Sequence, residues 1–216
     1  MHGTISAIAR QKRDAKRASI FFDGEFAFGV HERTIEEFRL RKGDVIDEER
    51  YYTIVGFDNG VGARRVAERY INHRARSEHE VRQRLLREEF DTQVIEEVIA
   101  HLRTYRLIDD EAWAHAYVND RLIRKQVSAQ MLERELRRHH ILPAIITETL
   151  VQLSVSESDS DRARKALKKC WLKYAKLPYE KQRTKSIDYL LRRGFGTDVA
   201  RNVFDELMNA SGVDRP

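Results

Sequence analysis

The chain has one cysteine, Cys170, in 216 residues. It can close no internal disulfide, which is the cysteine usage expected in a reducing cytoplasm. Only three prolines interrupt it, which leaves long stretches free to be helical. No run approaches the roughly 18 consecutive apolar residues of a membrane span. The first residues have no apolar core behind their charges, so no secretory signal is expected. Neither Gly-x-x-x-x-Gly-Lys nor Gly-x-Gly-x-x-Gly occurs, so no phosphate-cradling loop is expected. The eight histidines form no metal-binding spacing with Cys170. His139 and His140 are adjacent and diverge by about 100° on a helix, too far to share a metal. Cys170, next to Trp171, reads as a packed structural thiol. The expectation is a cytoplasmic protein with no cofactor, no metal and no catalytic chemistry.

Charge is what the chain has in abundance. Charged residues make up 35% and apolar residues 41%, which suits small helical units with a large solvated surface. The net charge of +5 is unevenly spread. Residues 1–59 hold 10 Lys and Arg against 11 Asp and Glu, and residues 110–153 hold six of each. Residues 159–207 hold 13 against seven. That concentration reads as a surface for a polyanion, with a solvated helix face as the bland alternative.

Taken in order, residues 4–30 predict a three-stranded meander. Ile5 and Ile8 open it, a charged turn covers 10–17, and Asp23-Gly24 is a two-residue hairpin signal because both positions must accept positive φ. A helix over 32–41, with Gly43 just beyond its end, and a second helix capped by Asp47 should cover the meander. Phe57-Asp58-Asn59-Gly60 reads as a break and a domain boundary.

Beyond Gly60 the chain repeats. Leu85 precedes Phe90 by five residues, Leu136 precedes Ile141 by five, and Leu190 precedes Phe195 by five. Apolar or small residues then recur at +4, +5, +8, +9 and +12 in all three segments, Thr149 being the one polar exception. One stripe is ordinary amphipathicity; three in one register argue for duplication. Each unit reads as three helices, with Ser77 and Glu80 forming a capping box in the first. Ser128 is the expected cap in the second, and Pro143 sits well at a first helical position. Asp109, Asp110 and Glu111 cap and charge the start of the middle unit. The turn after each second helix favours Gly. Gly194 provides it in the third unit, while Glu89 and His140 occupy that place in the others. The expected organisation is mainly α: an α+β segment over 1–59, three-helix repeats over 60–109, 110–153 and 159–207, a linker at 154–158 and a tail at 208–216.

The stretch Leu107-Ile108-Asp109-Asp110-Glu111-x-Trp113-Ala114-x-Ala116-Tyr117-Val118-x-x-Arg121, with the repeat around it, resembles the RecX family of bacterial recombinase regulators. Ser77-x-x-Glu80 with Leu85, Glu135-Leu136-Arg137-Arg138 and Leu190-Leu191-Arg192-Arg193-Gly194-Phe195 support the resemblance. Asp23-Gly24-Glu25-Phe26-Ala27-Phe28 resembles the opening of longer members. The resemblance implies a non-enzymatic regulator that binds the RecA recombinase and its nucleoprotein filament. It implies limits on filament growth, ATP hydrolysis and strand exchange, and a place in DNA repair, recombination and the SOS response. The expected form is a monomer with weak, non-specific DNA contact and no membrane.

The candidate contact residues are basic. Arg121, Arg124, Lys125, Arg134, Arg137 and Arg138 lie in the middle unit. Lys165, Lys168, Lys169, Lys173, Lys176, Arg192 and Arg193 lie in the third. Arginine pairs bidentately with carboxylate or phosphate. Lys165, Lys168, Lys169 and Lys176 are expected on one broad helix side, away from Leu167, Trp171 and Tyr174. The competing reading is a direct DNA-binding protein of helix-turn-helix type. It would need exposed polar residues at the start of a recognition helix, where this chain has Val94-Ile95, Ile145-Ile146 and Val199-Ala200.

Overall fold

The computed structural model describes residues 2–210. The chain divides into two compact units, one ending at Ile108 and the other starting at Asp109.

The first unit opens with strands β1 (Gly3–Arg10), β2 (Arg17–Phe22) and β3 (Glu25–His31), the expected meander. Asp23 and Gly24 take φ of 48° and 87°, the left-handed pair that a tight hairpin requires. A fourth strand, β4 (Val45–Ile46), adds to β1 and gives the order β3-β2-β1-β4. Between them, α1 (Glu32–Phe38) is shorter than expected. It ends in a left-handed Arg39, and Gly43 serves the later turn into β4, its amide donating to the Ile5 carbonyl.

Helix α2 (Glu48–Ile71) overturns the expected break at Phe57–Gly60. Its 24 residues run uninterrupted through that stretch. Asp58 supplies the physical reason. An aspartate in mid-helix usually competes for backbone groups, but this carboxylate is taken by tertiary donors. Asp58 Oδ1 accepts from the His31 amide at 2.6 Å, the Thr34 hydroxyl at 2.6 Å and His31 Nδ1 at 3.0 Å. Arg17 Nη2 lies 3.5 Å from Oδ2. Asp58, His31 and Thr34 are all buried, so the network ties α2 to the sheet. One half of α2 closes the core of Ile5, Ile20, Val30 and Ile54; the other half supplies Ala63 and Ala67 to the core of the first repeat.

That repeat adds α3 (Glu78–Arg87) and α4 (Thr92–Thr104). The second unit holds α5 (Asp110–Arg124), α6 (Ala129–Arg138) and α7 (Pro143–Ser156), then α8 (Asp159–Tyr174), α9 (Tyr179–Leu191) and α10 (Thr197–Ala210). The expected caps are in place: Asp109 accepts from the Ala112 amide, Ser128 from Met131, and Ser77 with Glu80 forms the full box. Each repeat has its own core, built on the stripes that define the register. Ile95, Val98, Ile99 and Leu102 are buried in the first, Ile146 in the second, and Ala200, Val203, Phe204 and Leu207 in the third.

The three inter-helix turns share one geometry. Phe90, Ile141 and Phe195 each donate to the carbonyl five residues back, on Leu85, Leu136 and Leu190, at 3.3 Å. The residue before each is left-handed: Glu89 at φ 60°, His140 at 57° and Gly194 at 83°. A side chain there costs about 1 kcal/mol that glycine avoids. Part of that is offset by glycine's freer unfolded chain. Glu89→Gly is therefore expected to raise stability by about 0.5 kcal/mol, seen as a higher melting temperature. A drop would mean that the Glu89 side chain makes a compensating contact.

Within the second unit the expected linker at 154–158 is mostly helix, because α7 extends through Ser156. Repeats two and three are tied directly. The Ser128 amide donates to the Arg193 carbonyl at 3.1 Å, and the Ala129 amide to Asp159 Oδ1 at 3.0 Å. Arg162 is buried beneath this junction, donating to the Glu157 carbonyl at 2.6 Å and to Asp159.

Candidate partner-binding surface

The basic residues expected to meet a partner separate into two kinds. Arg121 is an internal tie. Its guanidinium donates to both carboxylate oxygens of Glu135, at 2.8 and 2.9 Å, and the Tyr117 hydroxyl donates to the same group at 3.1 Å. Burial pushes the Glu135 carboxyl up, but Arg121 and Tyr117 outweigh it and hold the pKa below the usual carboxylate range. Opposing charge reversal at Arg121 would therefore break the α5–α6 contact as well as any surface. Arg193 is also engaged inward. Its guanidinium lies 4.1 Å from the Tyr189 ring centroid and donates to that hydroxyl at 2.6 Å.

The others face solvent. Arg124 and Arg137 make one-turn pairs with Asp120 at 3.0 Å and Glu133 at 2.8 Å; exposed pairs of this kind contribute little, typically about 0.3–0.5 kcal/mol. Lys125 and Arg138 are exposed. Lys165 pairs with Glu157 at 2.6 Å. Lys168, Lys169, Lys173, Lys176 and Arg192 are exposed and have no ion-pair partner among the described residues. The expected helix side is real for Lys165, Lys168 and Lys169, while Leu167 is buried and Trp171 and Tyr174 pack on the third core. Lys176 departs from it: α8 stops at Tyr174, so Lys176 lies past the helix end.

One contact links the basic end of α6 to the third repeat. Arg134 on α6 reaches the turn after α9, where its Nη2 lies 3.6 Å from the position of a Cβ on Gly194. The Arg192-Arg193-Gly194 turn thus joins the basic end of α6. Arg162 and Asp159, which hold this junction, were not legible from sequence: Asp159 stands where the expected linker meets the third unit, and nothing in the spacing marks Arg162 for burial.

The third-helix starts do not form a groove-reading surface. Ile95, Ile146 and Ala200 are buried, and Val94, Ile145 and Val199 pack against the same cores. Cys170 is half-buried, donates to the Leu167 carbonyl at 3.3 Å, and burial pushes its thiol up, which opposes thiolate reactivity. Among the described residues no helix is long and apolar enough to cross a membrane.

Comparison with known proteins accounts for this architecture. Residues 3–47 match the regulatory protein RecX N-terminal domain, residues 63–102 the first three-helix domain of RecX, and residues 157–204 the third. The regulatory protein RecX of Bacillus velezensis is 32% identical over 202 residues, covering 94% of this chain and 76% of that protein. The regulatory protein RecX of Clostridium acetobutylicum is 31% identical over 210 residues, covering 95% and 97%. A crystal structure of regulatory protein RecX, 27% identical, superposes with a TM-score of 0.72 over 95% of this chain and all of that one. The RecX structure from Lactobacillus salivarius, at 22% identity and a TM-score of 0.62, shares the fold. With the N-terminal sheet, the repeat register and relatives more than 30% identical matched over 76% to 97% of their length, the chain belongs to the RecX family of regulatory proteins.

Proposed function

We propose that this chain binds the RecA recombinase, above all its helical filament on DNA, and limits filament growth, ATP hydrolysis and strand exchange without catalysing a reaction itself. The observation that carries this reading is the family match from the N-terminal sheet through the third repeat. The physical design agrees with it. Tandem three-helix modules provide several separate contact sites, and weak contacts held on one body add through effective concentration. The exposed cations of repeats two and three fit acidic protein surface or phosphate, with DNA contact a secondary aid.

The test is ATP hydrolysis by the recombinase on single-stranded DNA, with this protein added at increasing ratio. Inhibition far below one molecule per recombinase subunit supports action at filament ends, and inhibition only near equal ratio supports coating of the filament. No effect on recombinase from the matching source overturns the reading. Lys168→Glu with Lys169→Glu is expected to raise the half-inhibitory concentration about tenfold, the cost of turning two charge contacts into repulsions. Both side chains are exposed, so helicity should not change; an unaltered titration removes this face of repeat three from the contact.

A further inference from the structure

The first unit carries a charged feature that its net balance hides. The segment 10–17 holds Arg10, Lys12, Arg13, Lys16 and Arg17 with a single acid, Asp14. It forms the β1–β2 connection, and Asp14 fastens it down. One Asp14 oxygen accepts from the Lys16 amide at 3.0 Å, and the other lies 3.3 Å from Arg65 on α2. The loop is thereby held against α2 beside a cavity of about 330 Å³ whose walls include Arg17, Arg65, Arg69, Asn59, Tyr51 and Phe90.

The acids at this cavity are spent. Asp14 is used by Lys16 and Arg65, and Asp58 by His31, Thr34 and Arg17. Arg69 on the cavity wall, and Lys12, Arg13 and Lys16 on the loop beside it, are exposed and have no ion-pair partner among the described residues. Further cations, Lys16, Arg33 and Arg64, line a second cavity on the neighbouring wall. Burial, and then Arg64, lowers the pKa of His101 on α4, with Glu68 opposing and Arg33 adding. Glu32, Glu36 and Glu68 also line that second cavity, so the cationic excess lies on the loop side.

We propose that the β1–β2 loop and α2 form a seat for single-stranded nucleic acid, with Lys12, Arg13, Lys16 and Arg69 on phosphates and the adjoining cavity receiving an unstacked base against Tyr51 and Phe90. Cationic tracks beside aromatic walls are the usual construction of strand-binding sites, because stacking accepts any base while the cations follow the backbone. A duplex keeps its bases stacked and gains only the phosphate contacts. The seat deepens the proposed regulator reading in one respect, that the chain works beside DNA, but it does not require a recombinase.

The experiment measures anisotropy of a fluorescein-labelled oligothymidylate with the full chain and with a Lys12→Glu, Arg13→Glu, Lys16→Glu variant across a salt series. The three positions are exposed, so the fold is expected to survive, which circular dichroism verifies. The variant should bind at least about tenfold more weakly, and its log–log salt slope should fall by about 2, the share of three phosphate contacts on a single strand. Parental binding that the triple variant retains, or that Lys168→Glu with Lys169→Glu abolishes while the triple variant keeps it, overturns the proposal. So does equal competition by a duplex of the same length. Because no recombinase is present, failure here leaves the ATP-hydrolysis test untouched, and failure there leaves this one untouched.

Discussion

Replacing Asp58 with Ala is expected to cost the first unit about 3 kcal/mol of folding stability. The carboxylate accepts three hydrogen bonds on one oxygen, from the His31 amide, His31 Nδ1 and the Thr34 hydroxyl, and faces Arg17 with the other. Truncation removes the acceptor and leaves the donors buried. Each unpaired buried polar group costs about 1–3 kcal/mol; partial relaxation and the one-third exposure of Arg17 reduce the sum. Asp58→Asn keeps an acceptor but turns an amide donor toward other donors, so it should fall between the parent and Ala. The chain offers a built-in control. Both tryptophans, Trp113 and Trp171, lie in the second unit. Tryptophan fluorescence in a denaturant titration should therefore be unmoved by Asp58→Ala, while the circular-dichroism transition splits and its early part shifts to lower denaturant. Coincident, unshifted transitions would mean that the network contributes nothing to holding α2 on the sheet.

The second large effect belongs to Gly194→Ala, expected to destabilise the second unit by about 2–3 kcal/mol. Two causes combine. At φ 83° an added side chain costs about 1 kcal/mol of backbone strain. The new Cβ would also lie 2.6 Å from the Ser128 hydroxyl and 3.0 Å from Met131 Cβ. Ser128 caps α6 through the Met131 amide, and its own amide donates to Arg193. Pushing it aside weakens the cap and the junction between repeats two and three together; loss of a serine cap alone costs about 1 kcal/mol. Tryptophan fluorescence follows this unit directly. Gly196→Ala is the matched control, because nothing lies within 4 Å of a Cβ there. Equal behaviour of the two variants would sink the steric argument. The contrast with Glu89 and His140 sharpens it. All three turns use the left-handed residue, but Gly194 alone has its Cβ position occupied by another helix's cap.

The repeat architecture was legible because its causes are local. Val94, Ile95, Val98, Ile99 and Leu102 recur at the helical period, and so do their counterparts in the other repeats, so the buried stripes follow from spacing alone. Ser77 with Glu80, Ser128 and Asp109 announce helix starts through bonds that span three residues. Asp23-Gly24 dictates its hairpin for the same reason. The candidate surface was legible only as a list of cations. Sequence spacing shows which of them share a helix side, not which find a carboxylate on another helix. Arg121 was taken by Glu135 across 14 residues, and Arg134 met the Gly194 turn from a different repeat.

What the tertiary structure alone decided is where buried charge goes. Asp58 reads as a helix breaker beside Asn59 and Gly60, yet it anchors the middle of α2, because its partners His31 and Thr34 stand 27 and 24 residues away. Nothing in the spacing singles out Arg162, yet it is buried under the junction of two repeats. Local sequence fixes periodicity and capping because those interactions close within one or two turns of helix. The fate of an isolated charge depends on groups far along the chain that only folding brings within hydrogen-bond distance.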